Sequence, residues 1–171
     1  MPNTLTKEIK YTAIWGSQYA RLTGFGGKWL GIPMGYMAAN VPFGTSSTPD
    51  TSYTLTAQAD DLNNIIWQPL SNIKVRKCRI YYGQGGSSNT THMIALMRYD
   101  IDADGDLSNG VQVGTAATDS NSDDYSQLRS TDLAITTDNT ITTSQVLVGM
   151  VMPVDISPSA MAAKCIIEYT M

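Results

Sequence analysis

The chain has 171 residues, room for one domain or a domain with an arm, and a core of that size needs no disulfide or metal. Charged residues make up only 15%, well under the roughly 25% of average soluble domains, and Thr, Ser, Asn and Gly fill the difference, a composition of strands and turns rather than long helices. The net charge of −4 disfavours a groove for nucleic-acid phosphates, which need clustered cations.

No apolar run approaches the roughly 20 residues of a membrane span. The polar start MPNTLTKEIK lacks the apolar core of a signal peptide, so synthesis in a cytoplasm is expected. Residues 1–27 read as an irregular arm. Glu8 to Trp15 has the makings of a strand, after which Gly24, Gly26 and Gly27 open the backbone around Phe25. Trp15, Tyr19, Phe25 and Trp29 are large apolar groups in this poorly periodic stretch. Left in water they would be a liability. They are expected to dock either on their own domain or on a neighbouring subunit, and they are the candidate partner-binding residues.

Residues 28–171 read as one domain. Pro33, Pro42 and Pro49 keep its first part irregular. Tyr53 to Ala59 alternates apolar and polar, the mark of a half-buried strand. Ile65 to Trp67 follows, and strands are then expected over Asn72–Tyr82, His92–Tyr99, Gly110–Val113, Asp132–Ile135, Thr140–Thr143, Gln145–Val154 and Ala162–Tyr169. Thr115 to Ser126 is expected to be a long loop. Val146 to Val151 is nearly all apolar, as in a strand covered on both faces. Asn89-Thr90-Thr91 has the form of a glycosylation sequon but, without a secretion signal, reads as turn sequence. Many short strands separated by turns predict an all-β fold, an antiparallel two-sheet sandwich of jelly-roll type.

Chemistry is sparse. Asp100, Asp102, Asp104 and Asp106 recur at every second position with Gly105 among them, the first half of a calcium loop. The second half fails, since Val111 stands where a bidentate Glu is needed. A Ca2+ ion would require a further carboxylate, for example from Asp119, Asp123 or Asp124. Otherwise the run is the soluble tip of a hairpin. His92 is the chain's single histidine and lies in an apolar strand, which reads as packing rather than as part of a catalytic triad. Carboxylates paired in space, as in a glycosidase, leave no trace in sequence. Cys78 and Cys165 have no metal-ligand spacing and read as buried free thiols, with a disulfide between neighbouring strands as the alternative. The methionines read as adaptable core filling. Lys74, Arg76, Lys77 and Arg79 form the one basic cluster, within an expected strand, and read as a solvated or subunit-facing surface.

The irregular arm, the strand IKVRKCRIYYGQGG, the hairpin MRYDIDADGDLSNGVQVG and a late apolar strand before a short terminal one together resemble the jelly-roll proteins of tailed bacteriophage particles. These are the decoration and cement proteins, head fibres and fibre tips, some of them like trimeric C1q or TNF domains. The resemblance covers roughly residues 65–171 and rests on strand order and turn style. It implies a virion protein made in the host cytoplasm, a homotrimer, an arm that anchors the domain on the major capsid protein or another virion protein, and no enzymatic activity. A receptor- or glycan-binding sandwich, with Ca2+ bridging sugar hydroxyls at Asp100–Asp106, is the alternative, and a small hydrolase with paired acids is a third reading.

Overall fold

Alternation of apolar and polar side chains, interrupted where a strand bulges, builds two antiparallel sheets. The structure is a computed structural model and describes residues 8–20, 26–35, 43–54, 63–85, 91–119, 128–154 and 160–171. Its strands are β1 (Tyr11–Ala20), β2 (Leu30–Gly31), β3 (Ile73–Gly85), β4 (His92–Ile101), β5 (Leu107–Asp119), β6 (Arg129–Leu133), β7 (Thr140–Ile141), β8 (Gln145–Pro153) and β9 (Ala160–Thr170). One sheet runs β1-β9-β3-β6, with β7 on the start of β3, and the other runs β2-β8-β4-β5. The pairing is nested: β1 with β9, β2 with β8, β3 with β6, β4 with β5. Such an order arises when one long hairpin folds over on itself, its inner strands closing on β3·β9 and β4·β8.

β3 shows how the sequence writes this. Ile73 and Val75 point inward, and so do Cys78, Ile80 and Tyr82, so the alternation slips by one residue at Arg76–Lys77. The register against β9 shifts at the same place, a bulge that keeps both halves facing the core. Buried Asn139 clamps it, its backbone carbonyl accepting from the N–H of Val75 at 2.9 Å and its Nδ2 donating to the carbonyl of Val75 at 3.0 Å.

Between the sheets, Trp15, Ile80, Ile94, Leu96, Leu147 and Ile167 lie in the main core. A second apolar cluster covers the other side of the β2-β8-β4-β5 sheet, where Val146, Val148, Met150 and Met152 of β8 meet Trp29, Phe43 and Ile65 from the irregular segments. β8 is therefore covered on both faces, as its apolar run predicts. Met97, Met150 and Met152 fill this second cluster, while Met34 is exposed.

Three expectations are corrected. The segment before residue 27 is no separate arm where it is described. β1 is an edge strand, paired with β9 from Tyr11–Tyr169 to Ala20–Ala160. Thr115–Asp119 continues β5 rather than forming a loop, because β4 extends far enough to pair with it. Tyr53 makes only a bridge to Leu107. The rest of the expected strand at 55–59, the sequon at Asn89, Phe25, Asp123 and Asp124 lie outside the described residues. Among the described residues no helix is long and apolar enough to cross a membrane.

Candidate functional site

The acidic run forms the tip of the β4–β5 hairpin. Asp102 Oδ1 accepts from the backbone N–H groups of Asp104 at 3.0 Å and Asp106 at 2.9 Å, and Gly105 takes the positive φ of 85° that closes the turn. Asp100 faces sideways, accepting from Gln145 Nε2 at 2.8 Å and Asn109 Nδ2 at 3.0 Å. These two amides, first Gln145 and then Asn109, hold its carboxyl below the usual carboxylate range. The Asp100 and Asp102 carboxylates thus serve separate hydrogen bonds. Among the described residues no three acids, histidines or cysteines are grouped to hold a metal ion. Asp102→Ala removes both turn-closing bonds. The expected loss is roughly 1 kcal/mol, about 2–4 °C in Tm for a chain of this length, and calcium should leave the melting curve of the native protein in place.

The four aromatic candidates separate. Trp15 is 5% exposed inside the sandwich, its ring parallel to that of Trp67 at 6.0 Å. Trp29 is fully buried under the second cluster, and its Nε1 donates to the Ser46 carbonyl at 2.9 Å. Both rings are enclosed by their own chain and leave no surface for a partner, which corrects their reading as anchors. Of Tyr19 only the backbone is described, opposite Met161, and Phe25 falls outside the described residues. His92 is buried on β4 with its ring 5.0 Å from that of Tyr82, a packed strand histidine.

Cys78 and Cys165 are free buried thiols on neighbouring strands, their Sγ atoms 3.8 Å apart. Burial, and then the adjacent Cys78 thiol, push the Cys165 thiol well up. Both thiols should resist a disulfide reagent such as dithiobis-nitrobenzoate in the native state and react together once denaturant opens the sandwich. Prompt native-state reaction would contradict this burial.

What remains open is the outer face of the β1-β9-β3-β6 sheet. Among the described residues, irregular segments cover its counterpart on the other sheet but not this one. Across it the register aligns Ile14, Ile166, Arg79 and Asp132 in one row and Gly16, Lys164, Tyr81 and Ser130 in the next. Ile14 is 61% exposed and Leu128 73%. Gly16 has no room for a side chain, since a Cβ there would meet the Ala163 carbonyl oxygen at 2.4 Å and Lys164 Cα at 2.5 Å. Beside Gly16 lies a groove of about 400 Å³ bordered by Ser17, Tyr81, Leu128, Lys164 and Ile166. A second groove of about 700 Å³ shares Tyr81 and Ile166 and runs past Arg76, Lys77 and Arg79.

This face also collects charge. Arg79 donates two hydrogen bonds to the Asp132 carboxylate at 2.6 and 2.7 Å, Lys10 pairs with Glu168 at 3.1 Å, and Arg76 pairs with Glu8. The arginines hold the Asp132 and Glu8 carboxyls below their ordinary range. Lys74, Lys77 and Lys164 belong to none of these three pairs. The basic cluster visible in the sequence is thus part of an open sheet surface with an apolar centre. That centre is not legible in the sequence, because Ile14, Leu128 and Ile166 are far apart along the chain.

No protein-family model matches the chain, and no curated protein matches it. The chain is similar to a solved structure titled as that of infectious bursal disease virus, Gx strain, with 13% identity and a TM-score of 0.38 over 96% of this chain and 32% of that one. The chain thus spans about a third of the length of the chain it matches.

Proposed function

We propose that this protein is a structural component of a virus particle, a jelly roll that decorates or cements the capsid of a tailed bacteriophage or forms part of a head fibre. The nested pairing of β1 with β9, β2 with β8, β3 with β6 and β4 with β5 carries the reading, because it is the connectivity of a jelly roll and agrees with the resemblance in strand order. Among the described residues, one covered sheet and one open sheet suit a domain that lies against other subunits, and the major capsid protein or another virion protein is the expected partner. The reading assigns the chain a homotrimeric, particle-bound state, no turnover and no bound Ca2+.

The glycan-binding alternative calls for aromatic rings presented in loops. Every tryptophan and tyrosine whose side chain is described is instead buried or half-buried. The deciding experiment adds tagged protein to particles of the virus that encodes it but lack it, then sediments them. Stoichiometric recovery with the particles is the expected result. Recovery only with cells or glycans would move the function to a receptor-binding module.

A further inference from the structure

We infer that the open face of the β1-β9-β3-β6 sheet docks a second copy of this chain, which presents the acidic tip of its β4–β5 hairpin. The inference rests on reading that face as an assembly surface, and it names the occupant.

Charge segregation is the first argument. Among the described residues, Lys10, Lys74, Arg76, Lys77, Arg79 and Lys164 lie on the face or its margin with Glu8, Asp132 and Glu168, six cations against three acids. The other described charges are three cations, Lys28, Arg98 and Arg129, and seven acids, among them the four of the hairpin tip. The face therefore carries +3 and the rest of the described residues −4. A basic surface on an acidic protein finds its complement on another copy of the same protein.

Shape and polarity make the second argument. Asp102 and Asp104 are exposed at the hairpin tip, and Ile101 beside them is 38% exposed. The tip is thus an apolar residue flanked by carboxylates. The groove at Gly16 is its counterpart, an apolar floor of Ile166, Leu128 and Tyr81 with Lys164 at the edge. The two backbone bonds to Asp102 fix the tip, so little ordering entropy opposes docking.

The two patches differ in sign and lie on different sheets. A contact of the basic face with itself would set cation against cation, so face meets tip. In the homotrimer of the proposed function this contact runs head to tail, the tip of each copy on the face of the next.

Absolute mass of the full chain by light scattering tests this at about 0.1 M and about 1 M salt, where screening shortens from roughly 10 Å to roughly 3 Å. Expected is a trimer at low salt that dissociates at high salt. Lys164→Glu and Asp104→Lys should each weaken association at least about tenfold, and combining them in one chain should restore it. Circular dichroism melts establish that the variants fold, and the salt series on the native chain needs no variant. A native monomer at low salt, an unchanged mass for Lys164→Glu, or a double variant no better than the singles would overturn the inference. A monomer that still joins particles leaves the proposed function standing, whereas salt-sensitive trimers absent from particles overturn only that function.

Discussion

Expression without residues 1–25 is expected to yield no folded protein. The deletion removes β1, and with it the whole ladder to β9 and the edge of the sheet. β9 would then carry unpaired backbone groups along an exposed edge, a site for aggregation. It also removes Trp15, which is 5% exposed in the main core. Loss of a buried tryptophan ring costs about 3–5 kcal/mol, a large part of the roughly 5–15 kcal/mol that holds a domain together. The aromatic series at this end of the sandwich would lose its partners as well, since Trp15 stacks on Trp67 and Tyr11 on Tyr169. Solubility, circular dichroism and a urea transition on the truncated chain measure the effect. An anchoring arm would behave in the opposite way, leaving a cooperative domain that no longer joins particles. A truncated protein with a native melting curve would show that β1 is dispensable to the sandwich.

The fold was legible where strands alternate or run apolar, and illegible where a neighbour decides. The patterns of β3, β4, β8 and β9 announce themselves through side chains such as Ile80, Leu96, Val148 and Ile167, which meet in space as their periodicity implies. β2 is two residues long and has no pattern to read. β1 was seen only in part because Gly16 interrupts the alternation. Its reason, the close approach of Ala163 and Lys164, exists only once β9 is beside it. Trp29 sits in a segment without periodicity, so its burial depends on a cluster assembled from residues 29, 43, 65 and β8. The candidate site was half visible. The cations of β3 stand together in sequence, whereas the apolar residues between them come from β1, β9 and the segment before β6.

Trp29 and Trp15, alike in burial, are expected to respond differently to phenylalanine. Trp29→Ala should destabilise by about 3–5 kcal/mol, because the ring is fully buried and ties two segments together. Its N–H donates to the Gly44 carbonyl at 3.0 Å, its carbonyl accepts from Phe43 at 2.8 Å, and its Nε1 donates to Ser46. Without the ring, the layer over Val146, Val148, Met150 and Met152 loosens, and the exposed apolar surface should bind a hydrophobic dye at temperatures where the native protein does not. Trp29→Phe keeps much of the apolar contact but leaves the Ser46 carbonyl without its donor, so roughly 1–2 kcal/mol is expected. Trp15 is the contrasting case. Its Nε1 is buried and has no hydrogen-bond partner among the described residues. Trp15→Phe removes that unsatisfied donor along with part of the ring, and the two effects oppose each other, so a loss under about 1.5 kcal/mol is expected. Urea transitions on the three variants give the comparison directly. Equal losses for the two phenylalanine variants would mean that the Trp29–Ser46 bond adds nothing and that ring volume alone sets the stability at both places.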